Sequence, residues 1–118
     1  MRLFDFLQLH DVALEAHRCK LHIATWNGEE DPLDVFFRGE FEAWQSWQNK
    51  KNFEREYIVS LIKLPGQDRW LFAGCYLRLG RIWETDPGPP HHRYQTRELE
   101  ETSPLAGRLV IGFHRPGQ

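Results

Sequence analysis

The stretch FRGEFEAWQSWQNKKNFEREYIVSLIKLPGQDRWLFAGCY, residues 37–76, decides the fold because it joins an aromatic segment to the two most strand-like segments of the chain. Phe37, Phe41, Trp44 and Gln48 recur at spacings of four, three and four residues. Spacings of three and four place side chains on one face of an α-helix. The pattern therefore predicts a helix with these residues on its buried face and Trp47 at the edge of that face.

Two strands are predicted directly after this helix. The segments YIVSLIKL, residues 57–64, and RWLFAGCYLRL, residues 69–79, are separated by Pro65, Gly66, Gln67 and Asp68. Four turn-forming residues between two apolar runs are typical of a hairpin. Apolar side chains fall on both faces of the first segment, which predicts an interior strand. Gly74, inside the second, predicts a bulge or a close approach.

The remaining elements arrange around this unit. Residues 18–25 alternate apolar and polar side chains as a half-buried strand does, and Asp31 before Pro32 predicts the start of a helix over PLDVFF. Gly39 is expected to break or bend the pattern before the aromatic helix. Further expectations are an N-terminal amphipathic helix, a proline-rich loop over 84–92, and strands at 93–99 and 107–114. This order predicts an α+β fold: a small, strongly bent, half-open β-barrel of about five strands with helices inserted early.

Composition indicates one globular domain over residues 1–118, since the chain has 118 residues, 41% of them hydrophobic and five of them tryptophan. The net charge of −2 excludes a global positive field, although a local patch that includes Arg78 and Arg81 remains open. Cys19 and Cys75 are expected to be reduced, buried thiols, with a disulfide as the alternative. No secretion signal or membrane-length apolar run is found, so a cytoplasmic protein with no membrane partner is expected.

Signatures of catalysis and of metal binding are missing from the sequence. The six histidines form no pairs three or four residues apart, and no CxxC, nucleophile elbow or phosphate-binding glycine loop occurs. We therefore expect this chain by itself to be no enzyme, with no cofactor and no metal site.

The aromatic residues allow two interpretations. Most can form a bulky core. Alternatively, aromatic rings interleaved with amides and a hydroxyl can stack a flat base and contact its edge. On this second interpretation the candidate nucleic-acid-binding residues are Trp47, Gln45, Ser46, Gln48, Tyr76, Trp26, Trp83, Arg78 and Arg81.

Three segments carry a family resemblance. FEAWQSWQ at 41–48, YIVSLIKLPGQDRWLFAGCYLRLG at 57–80 and TSPLAGRLVIGFHRPGQ at 102–118 resemble the N-terminal domain found ahead of GIY-YIG nuclease domains in bacterial proteins. ALEAHR at 13–18 matches the opening of that domain less closely. The chain departs from the family at Ala16, at Trp44, and at Gly112 with Phe113. FAGCYLRLG, residues 72–80, is also similar to the middle strand of PUA-like barrels, including EVE, YTH and SRA domains.

The resemblance implies a recognition domain at the N-terminal end of a longer protein. On this basis we expect a module that reads DNA, such as a modified base, and targets a fused or partner GIY-YIG nuclease in restriction or defence. The alternative is a protein-interaction or structural domain with an aromatic core and no ligand, which the net charge and the dispersed arginines favour.

Overall fold

The fold comes from a computed structural model that describes residues 14–26, 28, 30–48, 53–82 and 92–112. Two short helices lie among six strands. In chain order the elements are β1 (Cys19–Ala24), α1 (Pro32–Phe37), α2 (Phe41–Gln45), β2 (Trp47–Gln48), β3 (Tyr57–Lys63), β4 (Arg69–Ile82), β5 (His92–Glu98) and β6 (Val110–Gly112), with 3-10 turns at Ala16–Arg18 and Ser103–Leu105.

All six strands belong to one mixed sheet. Its order is β1-β3-β4-β5-β2, and β6 pairs with β4. β1 runs parallel to β3, and every other pair in the described part is antiparallel. The long strand β4 pairs through its first three residues with β6 and through its last seven with β5. The sheet curls into a half-barrel, which confirms the predicted α+β class and bent sheet.

Strand β3 separates two layers of core, because its residues are buried on both faces. The inner layer, under α1 and α2, includes Phe53, Ile58, Ile62, Tyr76 and Tyr94. The outer layer contains Cys19, Val59, Leu61, Phe72 and Cys75, and the segment after β5 covers it with Leu99, Leu105 and Leu109. The predicted interior strand is thus confirmed, and both cysteines are buried free thiols.

The aromatic helix predicted over residues 37–48 is confirmed only over Phe41–Gln45, and the break or bend predicted at Gly39 is confirmed. Gly39 has a φ of +78°, which ends α1 and separates it from α2. As a result Phe37 is 70% exposed rather than buried. Trp47 and Gln48 belong to β2, since pairing with Arg93 and His92 of β5 replaces a further helical turn. The predicted start of α1 is confirmed: Asp31 accepts a 3.0 Å hydrogen bond from the backbone N–H of Leu33.

Gly74 marks a bulge, as its position in the strand predicts. The register between β3 and β4 shifts between Ser60 and Leu61, and Gly74 takes a φ of +116°. The predicted last strand begins later than expected, at Val110, because Gly107 has a φ of +79° and its N–H donates to the carbonyl of Phe72. The predicted N-terminal helix and proline-rich loop lie outside the described residues, apart from His92.

Candidate ligand-recognition site

The candidate site centres on the side chain of Gln45, the last residue of α2. Gln45 is 1% exposed. Its Oε1 accepts a hydrogen bond from the hydroxyl of Ser60 at 2.6 Å and lies 3.0 Å from Nδ1 of His22. His22 and Ser60 face each other across β1 and β3, so the sheet presents both groups side by side to the helix end. The side-chain oxygen of Gln45 therefore contacts one polar group on β1 and one on β3.

The contacts with Ser60 and His22 assign the orientation of the Gln45 amide. A separation of 2.6 Å fits an O–H···O hydrogen bond donated by the Ser60 hydroxyl. The 3.0 Å contact with His22 fits an N–H···O bond. Oxygen therefore faces Ser60 and His22, and the amide nitrogen points away from them. Within the part of the chain that the structure describes, Gln45 Nε2 is the buried side-chain polar atom without a hydrogen-bond partner.

The surroundings of His22 favour its neutral form. Burial lowers the pKa of His22 most, the hydrogen bond to Gln45 raises it, and the charge of Lys20 lowers it. The ring edge also contacts Phe53, with the ring centroids 5.1 Å apart and the planes at 72°. Neutral imidazole carries one N–H, and the Gln45 oxygen places that proton on Nδ1.

Large aromatic side chains fill the rest of the half-barrel interior. Phe53 and Tyr94 are at most 1% exposed, their ring centroids lie 5.4 Å apart, and the Tyr94 hydroxyl donates to Glu54. Tyr76, a candidate from the sequence, is buried in the same layer, and its hydroxyl donates to the carbonyl of Ala73 at 2.8 Å. Burial raises the pKa of Tyr76. This tyrosine therefore packs as part of the core.

The structure brings the sequence-predicted residues 45–48 together at one edge of the sheet. Trp47 is 42% exposed, and the guanidinium of Arg93 lies 5.2 Å from the centre of its ring. Gln48 donates from Nε2 to the backbone carbonyl of Gln45 at 2.6 Å, which ties β2 to the end of α2. Ser46 is buried and its hydroxyl donates to the carbonyl of Ala43. Gln45 and Trp47 thus offer functional groups, whereas Ser46 and Gln48 bind backbone.

Other candidates lie apart from this cluster or outside the described residues. Trp26, after β1, is 63% exposed. Arg78 lies 3.5 Å from a carboxylate oxygen of Glu54. Arg81 contributes backbone to β4, but its side chain is not among the described ones, and Trp83 lies outside the described part.

Charge on the described surface is mixed rather than basic. Three arginines form ion pairs with nearby carboxylates: Arg18 with Glu56, Arg38 with Glu40, and Arg78 with Glu54. Among the residues described, no cluster of three or more histidine, cysteine or acidic side chains could hold a metal ion.

Sequence reasoning missed two of the three members of the polar cluster. Ser60 lies in an apolar strand, and His22 lies in a strand whose pairing with β3 the sequence does not specify. Alternation in β1 separates His22 from Leu21 and Ile23, but it predicts His22 on the exposed face, whereas in the structure Leu21 and Ile23 are the exposed side chains.

Comparisons of the chain with protein-family models, with curated proteins and with solved structures give no match. Within the described ranges, no helix has the length and apolar character needed to cross a bilayer.

Proposed function

We propose that this domain is a nucleic-acid-reading module that holds one base, such as a modified DNA base, against the side chain of Gln45. The observation that carries the proposal is the buried amide nitrogen of Gln45, which has no partner among the described residues. Leaving a buried donor unpaired costs about 1–3 kcal/mol. A ligand that accepts a hydrogen bond at this position would recover that free energy.

Trp47, two residues after Gln45, adds a surface suited to a flat ligand. Trp47 is partly exposed with Arg93 over its ring, and tryptophan and arginine both stack on nucleobases. Stacking of this kind contributes about 1–3 kcal/mol per base. An edge-reading amide beside a stacking surface is the combination that recognition of an unpaired or extruded base requires.

Entry of a base requires part of the site to move, since the Gln45 amide is enclosed. The neighbouring elements are short: α2 has five residues and β2 has two. Few hydrogen bonds hold such elements, so their local opening costs less free energy than opening of β3 or β4. We propose that β2 shifts when the base enters.

The mixed charge of the described surface predicts how the proposed binding depends on salt. Because Arg18, Arg38 and Arg78 pair with carboxylates, we propose that phosphate contacts supply the smaller part of the binding free energy. Base contacts then dominate, and the affinity depends weakly on salt. The proposed role beside a fused or partner GIY-YIG nuclease in restriction or defence rests on the resemblance of residues 41–48, 57–80 and 102–118 alone.

Binding measurements test the proposal directly. Short single-stranded and duplex DNA, unmodified or carrying 5-methylcytosine or 5-hydroxymethylcytosine, is titrated into 15N-labelled protein. We expect shifts of the Gln45 side-chain amide and the Trp47 indole signals, and a binding constant that changes little between 50 and 200 mM salt. Binding that is confined to low salt, with both signals unmoved, overturns the proposal.

A protein-interaction domain is the second candidate, and the filled interior favours it. Phe53, Tyr76 and Tyr94 leave the half-barrel packed, while Leu21 and Ile23 of the edge strand β1 are 37% and 42% exposed. Exposed apolar residues on an edge strand are typical of surfaces that bind another chain. Under this alternative, replacing Gln45 or Trp47 changes no binding activity, whereas Ile23→Lys abolishes association with the partner.

A further inference from the structure

We infer that the Gln45 side chain selects bases with an oxo group, as in thymine, uracil or guanine, over bases with an amino group at the same ring position. The inference rests on the proposed function and names the class of base that the site takes. His22 and Ser60 are the positioning residues, because they determine which end of the amide meets the ligand.

The first step is the orientation of the amide. The hydroxyl of Ser60 donates a hydrogen bond to Gln45 Oε1 over 2.6 Å. Nδ1 of His22 lies 3.0 Å from the same oxygen. The structure thus assigns the amide oxygen, and not the nitrogen, to the side of Ser60 and His22, and the tautomer of His22 tests this assignment. The nitrogen therefore stays on the ligand side as a donor of up to two hydrogen bonds.

The edge of the base that reaches Gln45 follows from the burial of this side chain. The side chain is 1% exposed, so a base reaches it only through the opening proposed at β2. A base attached to a sugar enters with the edge farthest from the glycosidic bond in front. On a pyrimidine that edge carries the group at position 4, and on a purine the group at position 6.

The last step is the chemistry at that edge. An oxo group accepts a hydrogen bond from Gln45 Nε2, whereas an amino group turns a second donor toward it. When the Gln45 nitrogen and an amino group face each other in a site without water, neither donor has an acceptor. Such a mismatch lowers affinity by roughly 5- to 100-fold.

Thymine and 5-methylcytosine form the decisive pair of probes. They share the ring skeleton, the methyl group and the 2-oxo group, and they differ along one edge: thymine carries an oxo group at position 4 and N–H at position 3, whereas 5-methylcytosine carries an amino group at position 4 and a bare nitrogen at position 3. We measure binding of single-stranded oligonucleotides that differ at one central base, thymine or 5-methylcytosine. Wild-type protein is expected to bind the thymine probe at least about 5-fold more tightly.

Gln45→Glu tests which atom reads the base. One carboxylate oxygen can accept from Ser60 and His22, while the other faces the ligand as an acceptor, so the preference should reverse toward 5-methylcytosine. Circular dichroism checks that this variant is folded. Should it fail to fold, Gln45→Ala is used, which should bind both probes equally. A variant that keeps the thymine preference overturns the inference.

A measurement without ligand tests the orientation itself. The 15N shifts of the His22 ring report which nitrogen carries the proton. We expect Nδ1–H, and a proton on Nε2 with a bare Nδ1 overturns the inference because the amide would then present its oxygen.

The outcomes separate the two proposals. Equal binding of both probes, with shifts at Gln45, leaves the reading function standing and overturns the oxo preference. If neither probe binds above the level of an abasic oligonucleotide, and the modified-base panel fails as well, the proposed function itself is wrong.

Discussion

Nδ1 of His22 lies 3.0 Å from Oε1 of Gln45, which joins the edge strand of the sheet to the end of the helix packed on its inner face. The two residues are 23 positions apart in sequence. Ser60, in the neighbouring strand, donates to the same oxygen. This three-residue cluster links β1, β3 and α2 and is the basis of the first two predictions.

Ser60→Ala should lower the free energy of unfolding by about 1–2 kcal/mol. The substitution removes a buried hydrogen bond to Gln45 and leaves a space the size of the hydroxyl. Urea denaturation followed by tryptophan fluorescence measures the change. Ser103→Ala is the matched control, because Ser103 is exposed and its replacement should stay within about 0.5 kcal/mol. Equal effects of both substitutions would contradict the assigned hydrogen bond.

Lowering the pH should reduce the free energy of unfolding of the wild-type protein more than that of the His22→Gln variant. Burial lowers the pKa of His22 below its ordinary value of 6.5, so the unfolded chain takes up the proton more readily. The stability that neutral His22 provides is complete above pH 6.5 and is lost as the pH falls, by at most about 1.4 kcal/mol per pH unit.

His22→Gln removes this titration while keeping a donor for Gln45. Unfolding free energies of both proteins are compared at pH 8, 7, 6 and 5. Other titrating groups contribute equally to both proteins and cancel in the difference. A difference that stays constant across this range would show that His22 titrates alike in the folded and unfolded chain.

Gly74→Ala should destabilise the domain by about 1–3 kcal/mol. Its φ of +116° strains any residue with a Cβ, and the added atom would lie 3.1 Å from Oε1 of Glu98 and 3.2 Å from the hydroxyl oxygen of Tyr76. Gly80→Ala, in the same strand, is the control, since Gly80 has no positive φ and no heavy atom within 4 Å of the added position. Thermal melts should separate the two variants, and similar melting temperatures would contradict the bulge geometry.

Trp44→Ala and Trp47→Ala should affect different properties. Trp44 packs on the inner core with its ring 5.7 Å from that of Phe41, so its truncation should cost about 3 kcal/mol of stability. Trp47 is 42% exposed, and its truncation should leave the melting temperature nearly unchanged. Under the proposed function it should weaken binding of an oligonucleotide by about 1–3 kcal/mol. If both variants melt equally early, Trp47 is structural and the stacking role is wrong.

The sequence by itself determined the elements whose signals are local. Alternation in residues 18–25, the apolar run of 57–64 and four turn formers at 65–68 were enough to predict β1, β3 and the hairpin into β4. Asp31 before Pro32 predicted the start of α1, and Gly74 predicted the bulge. These features depend on backbone preferences and on neighbours within a few residues, which the sequence contains.

Only the tertiary structure decided what happens after Gln45 and what surrounds it. Helical spacing favours continuing the helix through Trp47 and Gln48, but hydrogen bonds to β5, more than forty residues later, make them a strand. In the sequence, Gln45 is one of several amides. Only the structure shows that His22 and Ser60, on two different strands, both contact its side-chain oxygen. Pairing between distant segments follows from how the whole sheet curls, and no local pattern of residues encodes it.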